Sequence, residues 1–165
     1  MSAKNAAIDD EQVQLTAFRV GEEEYVVDIM RVREIIRPLP LTRVRKGPRF
    51  VEGVINLRGE VIPIVDLRRR FDVPREEGGD PKIIILVVDS RVLGIVVDAV
   101  TEVVRVNKSA IRKAPGVFDD GHTPYFVGVC HYRNRTLLLL NVKSVVANDD
   151  TIDVAGAVEA ARGQT

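Results

Sequence analysis

The sequence predicts an all-β protein built from two equivalent small barrels. Val, Ile and Leu arrive in short bursts, Trp is absent and aromatic residues make up only 5% of the chain. Such bursts favour β-strands, and the Gly, Pro, Asn and Asp residues between them are typical of tight turns. Two segments also recur later in the chain, which indicates that one structural unit is present twice.

The bursts predict about ten short strands, a number typical of barrels or sandwiches. In chain order they cover residues 15–20, 25–29, 32–36, 54–57, 61–67, 83–88, 93–97, 100–106, 125–132 and 136–140. Two short helical turns are predicted, over 67–71 after Asp66 and over 142–146 after Asn141. Both preceding residues are good helix N-caps.

Two pairs of segments carry the repeat. The segment VREIIR at 32–37 matches VTEVVR at 100–105. The segment GVINLRGEVIPIVDL at 53–67 aligns without gaps with GVCHYRNRTLLLLNV at 128–142. Both long segments predict a strand, a tight turn, a second strand and a capped helical turn.

The repeat pairs several charged and turn residues. Glu34 falls on Glu102, and the turn Arg58-Gly59 falls on Arg133-Asn134. Gly and Asn are the residues that best tolerate a positive φ in a tight hairpin turn. The sequence therefore predicts the same hairpin in both copies.

The β-rich domain is predicted over 14–146. Its first barrel is predicted mainly over 20–75 and its second mainly over 81–146, with the N-terminal strand a candidate for sharing between them. The polar stretch at 75–80 is the predicted crossover. Residues 1–13 are predicted to be a flexible N-terminus and 147–165 a C-terminal tail or short helix, which Gly156 disfavours.

Composition narrows the class of protein. The 165 residues carry a formal net charge of +0, so no global field recruits nucleic acid or anionic lipid. The lone Cys130 excludes an intramolecular disulfide, and the N-terminus has no apolar run typical of a signal peptide. Apolar runs such as 83–88 are too short to cross a bilayer. We expect a cytoplasmic protein with no direct membrane insertion.

No catalytic, cofactor or metal site is predicted. His122 and His131 are the only histidines, and Cys130 has no second cysteine to provide zinc-ligand spacing. The sequence contains no GxSxG, GxGxxG or GxxxxGK motif. The chain is therefore predicted not to be an enzyme.

The cationic stretch from Arg31 to Arg49 leaves two interpretations open. A small β-barrel that binds single-stranded nucleic acid is the alternative, but the stretch offers no aromatic side chain on which bases would stack. The same stretch places Leu39, Leu41 and Val44 near prolines. Exposed aliphatic residues rimmed by arginine are typical of a protein interface, which is the interpretation we favour.

The chain resembles the CheW family of bacterial chemotaxis coupling proteins. The resemblance extends from about residue 14 to 146 and is carried by QLTAFRVGEEEYVVDI, VREIIRP, FVEGVINLRGEVIPIVDLRRRF, VLGIVVDAVTEVV and FVGVCHYRNRTLLLLNV. It implies two SH3-like five-stranded barrels packed around a shared apolar seam. The family also includes the regulatory domain of the kinase CheA and part of CheV, but the chain length favours the stand-alone adaptor.

The resemblance implies partners and docking residues. The adaptor would link the cytoplasmic tip of chemoreceptors to the regulatory domain of CheA, at membrane-associated receptor arrays. Receptor docking would involve Val32, Glu34, Arg58 and Val100, with an apolar helix face in a groove and the two charges fixing its register. Kinase docking would involve Leu39, Leu41, Val44 and Gly53.

A structural role competes with docking for several of these residues. Val32 alternates in a strand as a barrel-core residue would. Glu34 and Arg58 both recur in the second copy, as a role common to both barrels predicts.

Overall fold

The computed structural model describes residues 11–44, 51–74, 78–113 and 125–146, with the backbone alone for Val146. Its strands are β1 (Gln12–Val20), β2 (Glu23–Asp28), β3 (Val32–Ile36), β4 (Val51–Leu57), β5 (Glu60–Asp66), β6 (Lys82–Val88), β7 (Arg91–Val97), β8 (Ala99–Asn107), β9 (Ile111–Lys113), β10 (Phe126–Tyr132) and β11 (Arg135–Leu140). Short helices occur at α1 (Leu67–Arg70) and α2 (Val142–Val146), and single 3-10 turns at Ile29–Arg31 and Lys108–Ala110. The all-β class is confirmed.

The strands form a six-stranded and a five-stranded sheet, and five strands of the first correspond in order to the five of the second. Sheet 1 runs β8-β1-β2-β11-β10-β9, and sheet 2 runs β3-β6-β7-β5-β4. In each sheet one pair is parallel, β2 with β11 and β7 with β5, and the other pairs are antiparallel. The repeated segments occupy equivalent places, because β3, β4 and β5 correspond to β8, β10 and β11.

Each sheet takes its central hairpin from the other half of the sequence. The β1–β2 hairpin lies in sheet 1 with β8 to β11, and the β6–β7 hairpin lies in sheet 2 with β3 to β5. The predicted barrel bounds of 20–75 and 81–146 differ from these sheets. The chain passes from one sheet to the other over short connections: β2 continues through one 3-10 turn into β3, and β7 continues through Asp98 into β8.

Three buried apolar clusters follow from this arrangement. The seam cluster draws on both sheets and includes Phe18 and Val27 from sheet 1 with Ile84, Leu86 and Ile95 from sheet 2. The sheet 1 cluster is built around Leu15, Ala17, Val26, Val104, Cys130 and Leu137. The sheet 2 cluster is built around Ile55, Ile62, Ile64, Ile83 and Ile85.

The strand β6 shows why its sequence is a continuous apolar run. Ile83 and Ile85 contact the sheet 2 cluster, whereas Ile84, Leu86 and Val88 contact the seam cluster. Alternate side chains of a strand point to opposite faces, so both faces of β6 are buried. A strand buried on both faces reads as an unbroken hydrophobic segment.

The predicted hairpin turns and caps are confirmed. Consecutive residues with positive φ occur at Arg58 and Gly59 (50° and 87°) and at Arg133 and Asn134 (47° and 62°), as expected for a type I′ turn. Asp66 accepts a hydrogen bond from the Arg68 amide at 3.0 Å, and Asn141 accepts one from the Ser144 amide at 3.3 Å. The helix considered over 151–162 lies outside the described residues.

No helix in the described ranges has the length and apolar character that crossing a bilayer requires.

Candidate docking surfaces

Val32 and Val100 occupy equivalent positions near the starts of β3 and β8. Val32 pairs with Leu86 in sheet 2, and Val100 pairs with Phe18 in sheet 1. Both valines are half-buried and pack against the seam cluster. Each sheet thus contributes one partly accessible valine that packs against the seam cluster. Neither valine is fully buried in the core, and neither is fully exposed.

Glu34 and Arg58 form an ion pair between β3 and the β4–β5 turn. The Arg58 Nη2 atom donates to the Glu34 Oε2 atom. A second pair, Arg33 Nη1 to Glu60 Oε2 at 2.8 Å, joins β3 to the first residue of β5. Surface pairs of this kind contribute about 0–1 kcal/mol to stability. Arg58 remains 67% exposed, so most of its guanidinium faces outward.

The second copy builds its ion pairs differently. Glu102, the counterpart of Glu34, lies 3.4 Å from Arg135. Arg135 also donates to both carboxylate oxygens of Glu24, at 3.0 and 2.9 Å. Arg133, the counterpart of Arg58, has its guanidinium carbon 5.2 Å from the centroid of the Tyr132 ring. The acid is therefore repeated, but the cation that pairs with it is not.

Gly53 allows the segment before β4 to lie directly on that strand. The Thr42 amide donates to the Val54 carbonyl at 2.9 Å, and the Val54 amide donates to the Thr42 carbonyl at 2.8 Å. A Cβ atom at Gly53 would lie 2.2 Å from the Thr42 carbonyl oxygen. Only a glycine therefore permits this approach.

The structure brings the residues assigned to kinase docking together around this contact. Leu41 packs against the sheet 2 cluster, and Val44 is half-buried. Leu39 is among the exposed large hydrophobic residues. The segment thus presents aliphatic side chains beside Gly53. The remaining cations of the stretch, Arg45, Lys46 and Arg49, lie outside the described residues.

Cys130 and His131 lie next to each other in β10 but have different surroundings. Cys130 is fully buried in the sheet 1 cluster, and burial raises the pKa of its thiol. A thiol with a raised pKa is a poor nucleophile. His131 Nδ1 lies 3.4 Å from the Thr136 hydroxyl. His122 lies outside the described residues, and within those residues no three His, Cys, Asp or Glu side chains are grouped as metal ligands.

A buried charge network, which the sequence did not reveal, links the two sheets. Arg68 Nε and Nη2 donate to the two carboxylate oxygens of Asp66, each at 3.2 Å. Arg68 Nη1 lies 3.2 Å from Asp98 Oδ1, and the Gly21 amide donates to Asp98 Oδ2 at 2.7 Å. Asp66 and Asp98 belong to the strand ends of sheet 2, whereas Gly21 belongs to the β1–β2 turn of sheet 1.

The network holds two carboxylates against one guanidinium. All three side chains are at most 7% exposed. Burial alone would lower the pKa of Arg68, but its hydrogen bonds to Asp66 and the charges of Asp66 and Asp98 outweigh burial and raise that pKa. Arg68 therefore stays charged. The sequence offered a sign of this network in Asp98, an aspartate inside the apolar run IVVDAV.

Comparisons with known proteins agree on one family. A model of the CheW-like domain matches residues 14–150. The chemotaxis protein CheW of Treponema pallidum is 34% identical over 149 residues, 87% of this chain and 88% of that protein. The chemotaxis protein CheW of Rhizobium meliloti is 38% identical over 138 residues, 83% of this chain and 89% of that protein.

A solved structure shares the fold. The scaffolding protein TtCheW from Thermoanaerobacter tengcongensis matches with a TM-score of 0.78 at 27% identity, covering 87% of this chain and 99% of that one. The family match spans every candidate docking residue and all of the strands except the first two residues of β1.

Proposed function

We propose a docking role for this chain on the premise that it belongs to the CheW family of chemotaxis proteins. It is an adaptor of chemotaxis signal transduction, in a family that includes the scaffolding protein TtCheW. We propose further that it couples chemoreceptors to the histidine kinase CheA by holding both in a fixed geometry. Its place of action would then be the cytoplasmic side of receptor arrays, reached through these partners.

The observation that carries the receptor proposal is the Glu34–Arg58 pair, in which Glu34 lies two residues after Val32 in β3. Val32 and Val100 offer apolar contact from both sheets, which suits one face of a receptor helix. Arg58 lies two-thirds exposed on a rigid turn, where its charge would select one register of the helix. The Glu34–Arg58 pair contributes little to the free energy of folding, which favours a role in binding.

The kinase proposal rests on the segment that Gly53 holds against β4. Leu39, Leu41 and Val44 follow one another along this segment, and its position is fixed by the Thr42–Val54 hydrogen bonds. A fixed aliphatic segment costs a partner little ordering entropy on binding. The regulatory domain of CheA would dock here, away from the Arg58 turn.

A charge reversal tests the receptor site. We expect Arg58→Glu to raise the Kd for the receptor's cytoplasmic hairpin at least about tenfold, equivalent to 1.4 kcal/mol, because the variant removes the cation that selects the helix register and its carboxylate repels Glu34. Isothermal titration with the full chain measures this Kd. Affinity for the CheA regulatory domain should stay within about twofold, since the kinase segment is unchanged.

Arg69→Glu is the matched control for this experiment. Arg69 lies in α1, is 63% exposed and pairs with Glu52 of β4 at 3.5 Å. An Arg-to-Glu change there alters the net charge by the same amount as Arg58→Glu. Equal weakening by both variants, or none by Arg58→Glu, would remove the receptor proposal. A large drop in the thermal transition of Arg58→Glu alone would assign Arg58 to the architecture instead.

A further inference from the structure

A groove of about 320 Å³ opens beside sheet 1, apart from the residues proposed for receptor and kinase docking. Its apolar wall includes Val13, Leu15, Val27, Ile111, Leu139 and Val142. Val127 also lines it and is 45% exposed. The groove is thus an accessible apolar surface that the adaptor role leaves unassigned.

Charged residues around this groove are mainly cationic. Arg31, Lys108 and Lys143 line it, against the single carboxylate of Asp28. An apolar floor with a cationic rim fits a segment that combines aliphatic side chains with acidic ones. The segment that occupies the groove should therefore carry both aliphatic and acidic side chains.

The C-terminal segment, residues 147–165, has this chemistry and directly follows α2 in the chain. Its acids are Asp149, Asp150, Asp153 and Glu159, against the single cation Arg162, and its larger aliphatic residues are Ile152, Val154 and Val158. Val142 and Lys143 of α2 line the groove, and α2 ends at Val146. Six extended residues reach about 20 Å, so Ile152 can span the groove.

We propose that the C-terminal segment binds in this groove of its own chain. Ile152 and its aliphatic neighbours contact the apolar wall, and the acids face Arg31, Lys108 and Lys143. The intramolecular link gives the segment a high effective concentration, so it covers the groove in the free protein. A partner that uses this surface must first displace the segment.

Disulfide trapping in the full chain tests the proposal. Thr151→Cys leaves Ile152 in place, and Val127→Cys puts the second thiol on the groove. We expect this pair to form an intramolecular disulfide at least about five times faster than the pair Thr151→Cys with Val103→Cys, under mild oxidant. Val103 is the matched control, because it is a valine in a strand, is 54% exposed and does not line the groove. Native Cys130 is buried and stays out of the reaction.

A second variant shows whether the disulfide forms because the C-terminal segment binds in the groove or because the two thiols collide by chance. Ile152→Asp, added to the Thr151→Cys and Val127→Cys pair, should slow cross-linking to the control rate, because a carboxylate is disfavoured on an apolar wall. Equal rates for the groove and control pairs would overturn the proposal. Cross-links that form only between molecules, and increase with protein concentration, would also overturn it and assign the groove to a second copy.

Discussion

At the scale of single residues, Gly53 has the most demanding environment. A Cβ atom there would lie 2.2 Å from the Thr42 carbonyl oxygen and 3.1 Å from the Arg43 Cα. Both obstacles are backbone, so no rotamer change can relieve them. Any side chain at position 53 must push the segment 41–44 off β4.

We expect Gly53→Ala to lower the free energy of unfolding by about 1–3 kcal/mol, the usual effect of overpacking. The two Thr42–Val54 hydrogen bonds would be strained or lost, and affinity for the CheA regulatory domain should fall with them. Urea unfolding and isothermal titration measure the two effects.

Gly79→Ala is the control for this variant, because nothing lies within 4 Å of its Cβ position and its φ is not positive. Gly79→Ala should measurably change neither the free energy of unfolding nor the affinity for the CheA regulatory domain. A Gly53→Ala protein with unchanged kinase affinity would show that the segment is not the kinase site.

At the scale of elements, the Asp66–Arg68–Asp98 network joins three connections. Asp66 caps α1, Asp98 links β7 to β8, and the Gly21 amide belongs to the β1–β2 turn. The network therefore joins the turn of the β1–β2 hairpin in sheet 1 to the ends of β5 and β7 in sheet 2. Because buried charges cost free energy unless they are paired, its members depend on one another.

Removing the shared cation should be far more damaging than removing one carboxylate. We expect Arg68→Met to destabilise the protein by about 3–5 kcal/mol, because two buried carboxylates lose their partner. Asp98→Asn should lower the free energy of unfolding by less. The asparagine amide oxygen can still accept from the Gly21 amide, and the network loses its excess negative charge. Thermal and urea unfolding measure the stability of the two variants. Equal losses of stability would mean that the charges contribute less than the packing of these side chains.

Local features of these elements could be predicted from sequence, whereas the contacts between elements could not. The turn at Asn134 and the cap at Asp66 depend on residues a few positions apart, so the sequence reveals them. Asp98 is buried only because two sheets meet around it, and no local pattern marks that. The resemblance associated Glu34 and Arg58 with receptor docking, but their ion pair joins β3 to a distant turn and required the fold.

At the scale of the whole molecule, neither half of the sequence contains a complete sheet. Sheet 2 needs β6 and β7 from the second half, and sheet 1 needs β1 and β2 from the first half. The seam cluster combines apolar residues of both sheets. The repeat was visible in the sequence, but strand pairing between its copies was not, because apolar bursts do not specify their neighbours.

A cut chain tests this interdependence. With a protease site placed within residues 75–77, we expect the cleaved protein to elute as one folded species and to unfold in one transition that depends on protein concentration. Each half purified alone should lack a cooperative transition, and mixing the halves should restore it. Cooperative unfolding of either half alone would show that the halves are independent domains.

The shared strand order carries a consequence for association. Two equivalent units that each lend a hairpin to the other have the layout of a domain-swapped dimer fused into one chain. The same lending between two molecules would satisfy every strand pair found within one. Refolding at high protein concentration should therefore yield swapped dimers with native sheets, and dilution before refolding should favour the monomer.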